Sequence, residues 1–235
     1  EVNSRGNRML MRPQIYAHRG VSRQRRENSV DAFLLAVEMG VDGVELDVRK
    51  TLNGQLVVHH DSQVDGVLIA DAERKNLPSY VPDLNDALNA CRGLRVNIEI
   101  KADGTDKTEV SELAKEVARH LGSRAEPMSQ WLVSSFDHSI IDQVHEFSPN
   151  LPTALIFWRK SPQDVVGRTA NNGHLAIHPH ESMVDKELIT AAHAAGVEVN
   201  TWTVNDLERA VELAELGVDG LITDLPDRVL EVLDR

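Results

Sequence analysis

Short runs of β-branched residues alternate with longer segments of helical periodicity along almost the whole chain. This alternation is typical of repeated βα units that build a parallel sheet. About eight runs have the character of strands, which is the number that closes a barrel. These runs are residues 14–17, 43–48, 95–100, 130–134, 153–157, 174–177, 197–202 and 220–223. The pattern predicts a single parallel (β/α)8 barrel, the TIM-barrel architecture, as one domain over residues 1–235.

Capping signals mark the start of several predicted helices. Asn28 or Ser29 is placed to cap an apolar run at 33–37, and Asp206 precedes a helical run at 207–216. Short polar side chains at such positions accept hydrogen bonds from the free N–H groups of the first helical turn. The helices are therefore predicted to begin at these residues.

One phrase occurs twice in the chain. Met-Gly-Val-Asp-Gly-Val at 39–44 returns as Leu-Gly-Val-Asp-Gly-Leu at 216–221. Each copy has the character of a helix end that turns into a strand. Two copies do not make a solenoid, but they are expected in a fold assembled from equivalent βα units.

An insertion interrupts the alternation after the second strand. Residues 55–60 resemble an extra short strand, and residues 61–82 form a polar stretch with little periodicity. An insertion at this point would lie over the face where the barrel strands end, which is the face that carries the active site in parallel barrels.

Composition and charge narrow the range of possible functions. Apolar residues make up 41% of the 235 residues, which is enough to fill one core. The formal net charge is -12 and no Lys/Arg run is present, so we expect no extended contact with nucleic acid. Cys91 is the single cysteine, which excludes an intrachain disulfide and favours a reducing compartment.

The N-terminal residues are polar. Residues 1–14 contain no apolar stretch of signal-peptide or membrane-spanning length. We therefore expect a flexible extension at 1–12, a cytoplasmic location, no stable membrane insertion, and a monomer or homodimer. The chain begins with Glu1 rather than Met, and whether a leader precedes it stays open.

Acidic side chains two residues apart occur in neighbouring strands. Glu45 and Asp47 project to one face of the second strand, and Glu99 and Lys101 do the same near the end of the next. Buried together, these carboxylates would be stabilised by a hard divalent cation such as Mg²⁺ or Ca²⁺. A solvent-facing Glu45–Asp47 pair and an ordinary ion pair for Lys101 are the alternatives.

Histidines follow the first strand and the inserted strand. His18 is followed by Arg19 and Gly20, and His59 and His60 precede an aspartate. Two imidazoles beside a cation suit phosphodiester cleavage, because one takes the proton of the attacking oxygen and the other protonates the leaving alkoxide. The guanidinium of Arg19 suits a phosphate. Taken alone, His-Arg-Gly at 18–20 is a weak signal and favours a loop without a catalytic role.

Taken together, these segments resemble the glycerophosphodiester phosphodiesterase family. The likeness covers nearly the whole chain, and its specificity lies in the combined spacing. The segments that carry it are Ala-His-Arg-Gly at 17–20, Glu-Asn at 27–28, Gly-Val-Glu-Leu-Asp-Val at 43–48, Val-Val-His-His-Asp at 57–61, Asn-Ile-Glu-Ile-Lys at 97–101, Thr-Trp-Thr-Val-Asn at 201–205 and Ile-Thr-Asp-Leu-Pro at 222–226.

The resemblance implies hydrolysis of small-molecule glycerophosphodiesters to glycerol 3-phosphate and an alcohol, a reaction of lipid and glycerol metabolism. It further implies a role for each matching residue. Glu45, Asp47 and Glu99 would hold one divalent cation, Mg²⁺ or Ca²⁺; His18 and His60 would be the general acid and base; Arg19 and Lys101 would contact the phosphate; and Glu27 would be a polar support nearby.

The chain departs from the family pattern at two points. Arg26 stands where the family often has proline, and the 61–82 segment is shorter than the family's usual insertion, which leaves substrate choice open. Trp202 would line the glycerol pocket or belong to the core. The alternatives are a phospholipase-D-like barrel that cleaves lysophospholipids, which would need an apolar membrane-facing loop, and a phosphate-ester binding protein without activity.

Overall fold

The computed structural model describes residues 12–102 and 107–234. The predicted extension falls mainly on residues 1–11, which lie outside the described residues. Its last residue, Arg12, pairs with Asp42 at 2.5 Å and with Asp234 at 3.0 Å. The strands are β1 (Gln14–His18), β2 (Gly43–Lys50), β3 (Leu56–Val58), β4 (Gln63–Val64), β5 (Val67–Leu68), β6 (Arg95–Ile100), β7 (Trp131–Ser135), β8 (Thr153–Phe157), β9 (Ala176–Pro179), β10 (Glu198–Thr201) and β11 (Gly220–Thr223).

Eight of these strands form a closed parallel barrel, so the predicted architecture is confirmed. The order around the barrel is β1, β11, β10, β9, β8, β7, β6 and β2, and β1 also pairs with β2 to close the ring. The predicted strand limits agree with the observed ones to within two residues. Helices follow the barrel strands: α1 (Val30–Met39), α2 (Leu84–Ala90), α3 (Lys107–Gly122), α4 (His138–Phe147), α5 (Pro162–Asn171), α6 (Lys186–Ala194), α7 (Leu207–Leu216) and α8 (Pro226–Leu233).

The repeated Gly-Val-Asp-Gly phrase has a structural reason at each position. Its first glycine ends a helix in the left-handed region, at φ 73° for Gly40 and 92° for Gly217. Its aspartate then accepts a hydrogen bond from the backbone N–H of a neighbouring strand; Asp42 does so from Ile15, and Asp219 from Val199, both at 2.8 Å. The phrase therefore joins each helix to the next strand and fixes it against its neighbour.

The second glycine of each phrase lies against the ring of Tyr16, which is buried inside the barrel. A Cβ at Gly43 would lie 2.6 Å from that ring and 2.7 Å from the carbonyl oxygen of Arg95. A Cβ at Gly220 would lie 3.1 Å from the ring and closer still to Asn200. Glycine is needed at both positions because a Cβ would overlap Tyr16 and the Arg95 carbonyl at Gly43, and mainly the Asn200 side chain at Gly220.

The insertion after the second strand is more ordered than its sequence suggests. The extra strand is confirmed as β3, which pairs antiparallel with the end of β2, and β4 and β5 form a hairpin. The stretch described as polar buries a small apolar cluster of its own. That cluster consists of Val57, Val64, Ile69, Ala72, Leu77 and Val81. Lack of periodicity therefore did not mean lack of a core here.

Two further expectations bear on this fold. Ser29, rather than Asn28, caps α1 by accepting a hydrogen bond from Ala32 N, and Asp206 caps α7 as predicted. Across residues 12–102 and 107–234, none of the helices is both long enough and apolar enough to pass through a bilayer.

We predict that Gly43→Ala destabilises the barrel. The added methyl group would overlap both the Tyr16 ring and a backbone oxygen, and forced overpacking of this kind costs about 1–3 kcal/mol. Urea unfolding should show a lower midpoint with an unchanged slope.

Gly167→Ala is the matched control, because Gly167 lies within α5 and an added Cβ would have nothing within 4 Å. This substitution should stabilise the protein by up to about 1 kcal/mol, because alanine favours a helix more than glycine does. Equal midpoints for Gly43→Ala and the wild type would contradict the packing argument.

Candidate active site

Charged side chains gather where β11, β1, β2 and β6 end, and these four strands are neighbours in the closed sheet. The strand pairing aligns His18 with Glu45, and Asp47 with Glu99. Because parallel strands bring their carboxyl ends to one end of the barrel, here called the mouth, these side chains converge although they are distant in sequence.

Three carboxylates form the centre of this group. Glu45, Asp47 and Glu99 each offer an oxygen atom within 4.8 Å of the others. All are buried, with exposed fractions of 3%, 1% and 8%. Such burial of like charges is costly unless positive charge lies beside them.

Two basic side chains supply part of that positive charge. Lys101 Nζ lies 2.5 Å from Glu99 Oε1 and 3.1 Å from Asp47 Oδ1, and Arg19 Nε lies 3.4 Å from Asp47 Oδ2. The backbone N–H of Arg19 donates to Glu45 Oε2 at 3.1 Å. The guanidinium of Arg19 also donates to both oxygens of Glu27 at 3.1 Å, and the supporting role of Glu27 stays a prediction.

The protonation of the carboxylates reflects this arrangement. Burial, with Asp47 nearby, raises the pKa of Glu45 to about 8. Burial also raises the pKa of Glu99, in spite of its bond to Lys101. For Asp47, burial is outweighed by Lys101, Arg19 and a hydrogen bond from Asn28, so its pKa is lowered. Lys101 and Arg19 thus balance the negative charge of Asp47, whereas the negative charge of Glu45 is less well balanced.

His18 lies beside the carboxylates at the end of β1. Its Nε2 is 3.9 Å from Glu45 Oε2, and its Nδ1 is 2.6 Å from Asp224 Oδ1. Burial disfavours the charged ring, but the hydrogen bond to Asp224 and the proximity of Glu45 outweigh it, so the pKa of His18 is raised. An imidazole bonded through Nδ1 presents Nε2 to the site.

His60 approaches from the inserted segment. The guanidinium of Arg49 donates to the carbonyl oxygen of His60 at 2.5 and 3.0 Å, and His60 Nδ1 lies 2.8 Å from Asp61 Oδ1. His60 and Lys101 both line a cavity of about 420 Å³. Burial lowers the pKa of His60 even with Asp47 nearby. The structure therefore brings both predicted imidazoles to the same end of the barrel as the carboxylates.

Known proteins share the sequence pattern and the fold of this chain. The chain matches the sequence profile of the glycerophosphoryl diester phosphodiesterase family over residues 18–228. The chain belongs to this family.

Individual members of the glycerophosphoryl diester phosphodiesterase family align along nearly their full length. A glycerophosphodiester phosphodiesterase of Bacillus altitudinis is 28% identical, with 94% of this chain and 98% of the relative aligned. A glycerophosphodiester phosphodiesterase of Thermotoga maritima superimposes with a TM-score of 0.80 at 26% identity, covering 96% of this chain and 99% of the other. A phosphodiesterase of Oleispira antarctica, solved with sn-glycerol 3-phosphate, shares the fold with a TM-score of 0.86 at 24% identity, covering 95% and 98% of the two chains.

Sequence reasoning gave no role in the site to three polar residues, which are Asp224, Asn205 and Asn28. Asp224 accepts a hydrogen bond from Asn205 Nδ2 at 2.7 Å, which holds it against His18. Asn28, considered as a helix cap, instead donates to Asp47 Oδ2 at 2.7 Å and accepts from Asp47 N at 3.2 Å. Asp224 directly follows the last strand, so its position in sequence was the available signal, because such positions line the mouth.

Trp202 stands apart from the charged group. It follows β10, its Nε1 donates to the carbonyl oxygen of His178 at 2.9 Å, and it packs edge-on against Phe136 with ring centroids 5.3 Å apart. It is partly buried and belongs to the half of the mouth opposite the carboxylates. Its predicted contact with substrate stays a prediction.

We predict that Asp224→Asn lowers the pKa of His18, because it removes the charge that stabilises the imidazolium. The measurement is NMR titration of the imidazole C2 proton in chelator-treated protein. Asp227→Asn serves as the control, since Asp227 lies in the first turn of α8 and contacts Gln24 rather than His18. An unchanged His18 titration in Asp224→Asn would contradict the role of the 2.6 Å contact.

Proposed function

We propose that this protein hydrolyses glycerophosphodiesters. One molecule of water is consumed, one P–O bond is broken, and the products are glycerol 3-phosphate and the free alcohol. The observation that carries the proposal is the meeting of three buried carboxylates with His18 and His60 at one end of a barrel. Membership of the family, and the activity in the name of its Bacillus altitudinis relative, support it.

Glu45, Asp47 and Glu99 are the residues proposed to hold a divalent cation. Their donors are all oxygen atoms, which suit Mg²⁺ or Ca²⁺. Among the described residues, Glu45 Oε1 is buried without a hydrogen-bond partner, which is the state expected of a ligand oxygen. When bound, the cation would neutralise these carboxylates and stabilise negative charge on the phosphate.

The basic residues are proposed to bind the phosphate. Arg19 and Lys101 extend into the site beside the carboxylates, and both can donate to non-bridging phosphate oxygens. Arg19 is held by Glu27, so its planar group is already oriented. Fixed donors of this kind stabilise charge that builds up in the transition state.

His18 and His60 are proposed as the general acid/base pair. One ring accepts the proton of the attacking oxygen, and the other returns a proton to the leaving alkoxide. Asp224 orients His18 so that its Nε2 faces the reacting groups. The attacking oxygen comes from water or from the adjacent glycerol hydroxyl; the second route passes through a cyclic phosphate, which ³¹P NMR would detect.

Release of glycerol 3-phosphate tests the function directly. We expect it from glycerophosphocholine, glycerophosphoethanolamine or glycerophosphoinositol, and we expect chelator to abolish it and added Mg²⁺ or Ca²⁺ to restore it. Glu45→Gln should remain inactive with cation, since it removes one ligand charge. Turnover that persists in chelator would refute the cation requirement, and release of no product from any of the substrates would refute the activity.

Substitution of the histidines tests the acid/base assignment. Each group contributes roughly a hundred- to ten-thousand-fold, so His18→Ala and His60→Ala should each lower kcat by about that factor with an unchanged melting temperature. His59→Ala is the matched control: its ring contacts the carbonyl oxygen of Gln63 at 3.2 Å, and its activity should stay near that of the wild type. Near-normal turnover in the His18 and His60 variants would overturn the assignment.

Cleavage of lysophospholipids is a second candidate with one observation in its favour. The hairpin of β4 and β5 exposes Val67 and Leu68 at 45% and 42%, whereas the sequence suggested no apolar loop. The same assay with lysophosphatidylcholine separates the two activities. Binding without activity, the third possibility, would appear as affinity for the diester with no product in any condition.

A further inference from the structure

The half of the mouth opposite the carboxylates is lined by aromatic rings. The first residue after each of four consecutive barrel strands, β7, β8, β9 and β10, carries a ring. By contrast, the first residues after β6 and β11 are Lys101 and Asp224. We call the four rings the aromatic wall; they are Phe136, Trp158, His180 and Trp202.

The rings of the aromatic wall are joined by direct contacts. Phe136 packs edge-on against Trp202 at 5.3 Å between centroids, Trp202 against His180 at 5.1 Å, and His180 stacks on Trp158 at 4.8 Å. Hydrogen bonds from Trp202 Nε1 to His178 O and between His180 and Ser182 fix two of the rings. The aromatic wall is therefore ordered before any ligand binds, which reduces the entropic cost of binding.

This surface is open to solvent in spite of its apolar character. Phe136 and Trp158 are 44% and 46% exposed. Phe136 also follows Ser135, whose hydroxyl donates to the carbonyl oxygen of Ile100, the residue before Lys101. The aromatic wall therefore borders the charged group on both sides, since β7 is next to β6 and β10 is next to β11.

We propose that the aromatic wall binds the leaving alcohol of the diester, and that this alcohol is an uncharged ring bearing several hydroxyl groups, as in inositol. The inference rests on the proposed function. A phosphate held by the charged half has two organic substituents, and glycerol is too small to cover four rings. The larger substituent therefore lies along the aromatic wall.

Charge disfavours a cationic leaving group such as choline relative to an uncharged one. Arg159 lies over the Trp158 ring at 4.4 Å, and Lys160 follows it; within the described chain neither forms an ion pair. The acidic neighbours of the wall are already engaged, because Asp137 caps α4 and Glu181 pairs with Arg209. A quaternary ammonium group favours aromatic rings, but here it would meet uncompensated positive charge.

Polar groups around the rings also argue against an acyl chain. A chain lying on Trp158 would cover the guanidinium of Arg159, which lies over that ring, and burial of a charge without a partner is unfavourable. A polyhydroxylated ring instead places its C–H face on the aromatic rings while its hydroxyls accept hydrogen bonds from the surrounding donors. The chemistry of the wall and its surroundings therefore fits a cyclic polyol.

The test compares kcat/KM for glycerophosphoinositol, glycerophosphocholine and the methyl ester of glycerol 3-phosphate, with lysophosphatidylcholine as a further arm. The wild type should favour the inositol ester. Phe136→Ala and Trp158→Ala should each lower the ratio of kcat/KM for the inositol ester to kcat/KM for the methyl ester by about three- to tenfold. Most of this change should be in the KM for the inositol ester. Phe147→Ala is the matched control: this phenylalanine is 42% exposed but ends α4, away from the mouth, and its ratio should not change.

Binding of glycerophosphoinositol to chelator-treated protein, measured by calorimetry, separates this inference from the proposed function. Affinity that weakens in Trp158→Ala supports the aromatic wall even where turnover is absent. Unchanged ratios and affinity in both wall variants would overturn the proposal. The proposal would also be overturned if the wall variants lost more kcat/KM for the choline ester or for lysophosphatidylcholine than for the inositol ester.

Discussion

The site depends on the cost of burying three carboxylates in one place. Lys101 and Arg19 lie against Asp47 and Glu99, yet Glu45 keeps an oxygen atom without a partner among the described residues. Replacing buried ionic groups together by well-packed apolar residues is often neutral or stabilising. The cation proposed to bind here would complete the charge balance of the three carboxylates, which gives a physical reason to keep Glu45 in this buried position.

Barrel closure divides the mouth into two chemically different halves. The strands that close the ring, β11, β1, β2 and β6, end in ionic groups, whereas β7 to β10 end in aromatic groups. A phosphodiester has the same division, since its anionic centre carries larger uncharged or polar substituents. The aromatic half is set by the first residue after each of its strands, whereas the ionic half also uses side chains within β1, β2 and β6.

Periodicity and composition were enough to predict the barrel, because eight strands with their capping signals are local features. The carboxylates were predictable for the same reason: two-residue spacing in a strand fixes which side chains share a face. Hydrogen-bond partners that come from other strands could not be predicted from such local features. Asn28 was placed at a helix start by its neighbours in sequence, while the structure uses it to bind Asp47. The apolar cluster of the inserted segment, which runs from Val57 to Val81, has no period that a sequence pattern could reveal.

The contact between His18 and Asp224 shows why the last part of such a site escapes local reasoning. The two residues are 206 positions apart and meet only because β1 pairs with β11. A loop of this length costs considerable entropy to close, and the cost is met by the whole sheet rather than by this hydrogen bond. The orientation of His18 therefore depends on the last strand being in place. Opening of β11 and α8 alone would leave the carboxylates assembled on β2 and β6 while removing the group that orients His18. The proposed cation site and the proposed acid/base chemistry thus rest on different parts of the barrel.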